Sequence, residues 1–126
     1  MSCDLTRSLS ACSFVAIDFE TTGLSAARDR IVEIGAVRFS PGQAERSRYA
    51  RLVNPQTSIP ELVIEVHGIT DAAVASAPPF AELVGEFTGF LEGAILVAHH
   101  AAFDIAFYTC ELRRADIMPV PVLVLD

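Results

Sequence analysis

Asp18 and Glu20 stand one residue apart at the end of an apolar run, Phe14-Val15-Ala16-Ile17. In a strand, residues two apart project to the same face, so the two carboxylates converge while Phe19 points into the opposite layer. Aspartate is disfavoured in strands and costly near a core. A pair of acids at such a place is best explained by a cation that offsets their repulsion. Oxygen-only ligands suit Mg²⁺ or Mn²⁺ rather than zinc, which prefers histidine and cysteine. The chemistry open to such a pair is metal-assisted cleavage of a nucleic-acid phosphodiester. Thr21-Thr22-Gly23-Leu24 follows as a turn, whose glycine permits close backbone approach and whose amides could face a terminal nucleotide. An ordinary strand-ending turn is the plainer alternative.

The rest of the composition constrains that reading. The chain has 126 residues, 52% of them hydrophobic, enough for one sizeable core. No apolar run approaches the ~20 residues that span a bilayer, and the opening residues lack the basic-then-apolar pattern of a signal peptide, so a cytoplasmic location is expected. The three cysteines, Cys3, Cys12 and Cys110, form no C-x-x-C spacing and no disulfide framework, and are expected to be bystanders or small core residues. The net charge is −7 and all nine basic residues are arginines, none forming a basic stripe. Grip along an extended duplex is therefore not expected, and a reader of strand ends is favoured, with metal ions supplying much of the attraction.

The elements that must position the acids can be read from periodicity. Residues 1–12 are polar and expected to be loosely ordered, and residues 13–126 form one domain. The Phe14 run, apolar on both faces, is predicted to be a central strand covered from both sides. Residues 31–39 and 49–53 are predicted strands separated by the Pro41-Gly42 turn signal, giving an antiparallel meander. Pro78-Pro79 then introduces a helical stripe of Phe80, Leu83, Val84, Phe87 and Leu91 that ends at Gly93. Residues 95–98 form a short buried strand, residues 101–114 a second helix, and residues 120–125 a last strand. Strand, helix, strand, helix, strand implies parallel pairing through right-handed crossovers, joined to the meander in one mixed sheet. The fold class is α/β.

Asp18-Phe19-Glu20-Thr21-Thr22-Gly23-Leu24 resembles the first motif of the DEDD exonucleases, which include the proofreading subunit of bacterial replicative polymerases and ribonuclease T. His67-Gly68-Ile69-Thr70 resembles that superfamily's segment near the nucleotide pocket, and Ala98-His99-His100-Ala101-Ala102-Phe103-Asp104 its second motif. Three ordered motifs cover nearly the whole chain from Phe14. The resemblance implies a ribonuclease H-like five-stranded sheet with flanking helices and a two-metal site of Mg²⁺ or Mn²⁺. Asp18 would bridge both ions, Glu20 would share one, and Asp104 would help hold the other. Two ions can stabilise both the attacking oxygen and the departing 3′ oxygen. Thr21, Gly23, Leu24, His67, His100 and Phe103 would contact the 3′ end of a nucleic acid, single-stranded DNA for the proofreading type, with a DNA polymerase subunit as a possible partner and no membrane. His100 stands where the superfamily usually carries asparagine. For His67 a helix end, for Phe103 a core position, and for Asp104 a carboxylate favoured by the helix dipole are the plainer alternatives.

The histidine subgroup of that superfamily carries a third motif, a histidine and later an aspartate, on a helix beyond the last strand. The chain stops at Asp126, which matches an aspartate that often precedes that region and would act as an N-cap. The expectation is therefore a truncated 3′-5′ exonuclease domain, its C-terminal helices missing, with little or no activity alone. The alternative is a non-catalytic module that binds metal and a 3′ end. His99 and His100 titrate in a useful range, but the resemblance assigns their segment to positioning.

Overall fold

The computed structural model describes residues 11–119 and 122–126. The expected loose opening segment thus falls almost wholly outside the described residues, as do positions 120 and 121 of the predicted last strand. Three strands come first: β1 (Ser13–Thr21), β2 (Ile31–Phe39) and β3 (Arg46–Leu52). They pair antiparallel as the predicted meander, with Asp18 opposite Gly35 and Glu20 opposite Glu33. Two short helices follow, α1 (Glu61–His67) and α2 (Asp71–Val74), and then α3 (Phe80–Leu91), β4 (Ala94–Val97), α4 (Ala101–Arg114) and β5 (Val124–Leu125). β4 lies parallel to β1 and β5 parallel to β4, giving the order β3-β2-β1-β4-β5 in a mixed five-stranded sheet.

Alternation along β1 divides its residues between two layers. Val15, Ile17 and Phe19 join the main core with Phe80, Leu83, Val84, Phe87 and Leu91 of α3 and with Phe107, Tyr108 and Leu112 of α4. Phe19 meets Phe87 edge-on at 6.0 Å between ring centroids, and full burial of such a side chain stabilises by about 1.5–3 kcal/mol. The intervening residues project to the other face. There Phe14 packs with Cys12 and Ile95, and its ring stacks on Phe39. Arg38 closes the far end of α3 by donating from Nη1 to the carbonyls of Phe90 and Glu92.

The structure departs from expectation in four places. α1 and α2 were not predicted, because seven- and four-residue helices are too short for a period to accumulate. β3 begins three residues earlier than predicted, since an exposed edge strand of Arg46, Ser47 and Arg48 carries no apolar alternation. The last strand is only Val124–Leu125, and Ile117, Met118, Val122, Leu123 and Leu125 beside it are exposed. Cys12 is a small core residue, as one of the two expectations had it, but it is also disulfide-bonded, which its spacing did not suggest; Cys110 is free. Among the described residues no helix is long and apolar enough to cross a membrane.

Candidate active site

β4 is shorter than the strand it pairs with. It accompanies β1 only from Ser13 to Ala16, so β1 runs on past the end of β4 for another turn of the pleat. The first turn of α4 occupies the notch this leaves. There the backbone N–H of Phe19 donates to Oδ1 of Asp104 at 3.3 Å, which fastens the helix to the acid-bearing strand. The pocket at the notch, about 590 Å³, is lined by Ile17, Asp18, Phe19, His99, His100, Phe103 and Asp104. Asp104 therefore returns to the end of the Phe14 strand as the sequence suggested, and His100 and Phe103 share its pocket.

The electrostatics bind the three acids together. Asp104 is 4% exposed, and its carboxyl is pushed up to about 6, chiefly by burial. The charges of Asp18 and Glu20 add to that rise, and the Phe19 N–H opposes it. Glu20 is also raised, by burial first, then by Asp18, with Glu33 adding and His67 offsetting part. Glu33 was not singled out in the sequence. Its signal is the hairpin register, which sets it directly across from Glu20, a pairing of like charges that costs stability. Repulsion of this kind is what a divalent cation relieves, and a donor set made only of carboxylates fits a hard ion. Among the described residues, no three His, Cys, Asp or Glu side chains form a group that could hold an ion as they lie. Ligation by Asp18, Glu20 and Asp104 thus requires the exposed Asp18 and the half-buried Glu20 to turn towards Asp104.

The turn beyond the acids is tightly organised. Thr21 is buried and its hydroxyl donates to the Gly23 carbonyl at 2.6 Å. Thr22 and Arg30 close the loop between them, the Thr22 N–H donating to the Arg30 carbonyl and the Arg30 N–H to Thr22 Oγ1. Asp29 fills the loop's interior, accepting from the Ser25 N–H and the Thr22 hydroxyl. A Cβ on Gly23 would collide with Asp29 Oδ2. Gly23→Ala is therefore expected to expel the Asp29 carboxylate and loosen the loop, seen as faster amide exchange at Ser25. Exchange equal to wild type would show that the close approach is unimportant. Leu24, at the tip, is 88% exposed, an apolar side chain offered to solvent beside the acids.

His67 lies outside the Asp104 pocket. It is the last residue of α1, which Gly68 ends in the left-handed conformation at φ 76. The Ile69 N–H donates to His67 Nδ1 at 3.0 Å, so Nε2 carries the proton and donates to the Thr21 carbonyl at 3.2 Å. The imidazole ties the α1–α2 corner to the end of β1 through backbone groups on both sides. His100 has φ 57, the left-handed region that asparagine and histidine enter more readily than other side chains. Its N–H donates to Oδ1 of Asp126 at 3.0 Å. Asp126, expected as an N-cap, thus steadies the turn before α4, where the rings of His99 and His100 lie 4.2 Å apart.

Against known proteins, the family model RNase_T, described as an exonuclease, matches residues 15–124. The chain is 41% identical over 114 residues to the DNA polymerase III subunit epsilon of Treponema pallidum, covering 90% of this chain and 53% of that one. It is 46% identical over 108 residues to a DNA polymerase III subunit epsilon-like protein of Rhodobacter capsulatus, covering 84% of this chain and 15% of the relative. Among solved structures, E. coli exonuclease I in complex with a dA13 oligonucleotide superposes with a TM-score of 0.81 at 16% identity, over 91% of this chain and 28% of that one. This last likeness speaks to the fold, and agrees with the ribonuclease H-like expectation. The chain spans about half the length of the Treponema relative and a smaller part of the other two.

Proposed function

Since this chain belongs to the RNase_T exonuclease family, we propose that it is a metal-dependent 3′-5′ exonuclease domain that removes nucleotides from the 3′ ends of single-stranded DNA in proofreading or repair. The observation that carries this reading is the Asp104 carboxylate, held by the Phe19 N–H in one pocket with Asp18 and pushed towards its protonated form chiefly by burial, with Asp18 and Glu20 adding. Asp18, Glu20 and Asp104 would hold Mg²⁺ or Mn²⁺, which when bound stabilises charge on the attacking and leaving oxygens. The chain's own part is to place two carboxylates on one strand end and to hold a third near them from a helix.

The remaining residues support a grip on a strand end rather than on a duplex. Thr21, Gly23 and Leu24 form the turn beside the acids, and the exposed Leu24 offers an apolar surface against a base. His100 and Phe103 line the acid pocket, where Phe103 also packs against Phe107 at 4.8 Å between ring centroids. His67 acts on this grip indirectly, by fixing the carbonyl of Thr21. DNA is favoured over RNA by the relatives, whose names are those of DNA polymerase III subunits, and a polymerase subunit is the partner those names suggest.

The test is a 5′-labelled single strand incubated with the protein and Mn²⁺. A weak ladder shortening by one nucleotide at a time from the 3′ end, blocked by a 3′-phosphate, is the expected result, weak because little activity is expected of this chain alone. Internal cuts, or shortening indifferent to the 3′ group, would contradict it.

A further inference from the structure

Glu111 lies two turns along α4 from Asp104, on the same side of the helix, and is 1% exposed. A carboxylate so deeply placed is costly unless every lone pair is met. Here the Arg30 guanidinium donates from Nε to both oxygens at 3.1 Å and from Nη2 to Oε1 at 2.9 Å. The Ile31 N–H donates to Oε2 at 3.0 Å, and Arg114 Nη1 stands 3.6 Å from Oε1. Arg114 then reaches further. It donates to the carbonyls of Ala26, Ala27 and Asp29, at 3.0, 3.1 and 3.3 Å. None of these residues lines the acid pocket, yet together they hold the second half of the loop that carries Gly23 and Leu24, from Ala26 to Ile31, and Arg30 is in turn bonded back to Thr22 at the loop's start.

Resting on the proposed reading of the site, we propose that Glu111 and Arg114 are positioning residues for recognition of the nucleic-acid 3′ end. The acids sit on two separate elements, β1 and α4. α4 is fixed to β1 at its first turn by Asp104, and to the loop after β1 at its last turns by Glu111 and Arg114. The Thr21–Leu24 turn is thereby held in a set place relative to Asp104. Side chains inside the loop, Asp29 above all, give it a shape; the two α4 residues give it a place. Loosening the second without the first should cost end recognition and leave metal binding, which depends on the acids themselves.

Arg114→Met tests this best, because it removes three loop tethers while leaving Glu111 its bidentate Arg30. Three measurements on the same protein decide it: amide exchange across residues 22–30, fluorescence anisotropy with 3′-hydroxyl and 3′-phosphate oligonucleotides, and Mn²⁺ binding by calorimetry. Faster exchange confined to the loop, about tenfold weaker binding of the 3′-hydroxyl strand with loss of its preference over the 3′-phosphate, and unchanged Mn²⁺ binding are expected. Wild-type exchange in the loop, or retained preference with a loosened loop, would overturn the proposal. Mn²⁺ binding lost in step with end binding would also overturn it, since that marks a general loss of structure. Glu111→Gln, which keeps the acceptor for Ile31 but removes the charge, should act in the same direction. A wild-type protein indifferent to the 3′ group would contradict the end-recognition reading itself, and the exchange data would still decide whether Arg114 places the loop.

Discussion

Asp104→Asn is expected to make the metal-free protein more stable at neutral pH while weakening its binding of divalent metal. The sign follows from the direction of the shift. Burial, with Asp18 and Glu20 adding, raises the Asp104 carboxyl from its ordinary 3.8 to about 6, so the folded state holds the proton more tightly than the unfolded chain. Between those two values folding takes up a proton. Stability is therefore greatest below about pH 4 and falls as pH rises through about 6. A shift of this size corresponds to roughly 3 kcal/mol. Asparagine keeps the shape and an oxygen to accept the Phe19 N–H but carries no charge to desolvate. In chelator at pH 7 the variant should melt higher by on the order of 5–10 °C, with the gap closing at pH 4. Added Mn²⁺ should raise the wild-type melting temperature well above any effect on the variant. A variant less stable than wild type at pH 7 would show that the carboxylate is favourably placed without metal, contrary to this account.

Asp18→Ala should abolish nucleotide release while leaving the fold intact. Asp18 is exposed and takes no part in the core, so truncation removes repulsion without opening a cavity. It is also the carboxylate whose charge bears on both Glu20 and Asp104. That central place fits the bridging role expected from the sequence resemblance. Its loss should reduce Mn²⁺-dependent shortening of a single strand by at least about 10²–10³-fold, the scale of losing one preorganised electrostatic group. Melting in chelator should be equal to wild type or slightly higher. Shortening that persists in Asp18→Ala would place the reacting phosphate elsewhere.

What could be read from the sequence was what local pattern determines. The apolar Phe14–Ile17 run identified a central strand, and the two-residue spacing of Asp18 and Glu20 set them on the face opposite Phe19. The long stripe of α3 reported its own buried face, and the order of helices and strands determined the parallel crossovers. What escaped depends on pairings between distant segments. The Glu20–Glu33 opposition requires the register of a hairpin that contains an irregularity at Glu20/Thr21. Glu111 looks like any helical glutamate until α4 is laid against the start of β2, eighty residues earlier in the chain. His67 and Asp126 were noticed for other reasons, but their partners, the Thr21 carbonyl and the His100 N–H, are backbone groups, on which sequence carries no mark. The short α1 owes its end to Gly68 and buries no residue fully, so it lacked the apolar face by which a helix is found.

The central claim is that Asp18, Glu20 and Asp104, drawn from two elements, act as one site for divalent metal. Calorimetric titration of the protein with Mn²⁺ at pH 7, beside Asp18→Ala and Asp104→Asn, tests it most directly. The account predicts saturable binding to the wild type and binding weakened in both variants. Identical isotherms for all three proteins would contradict it.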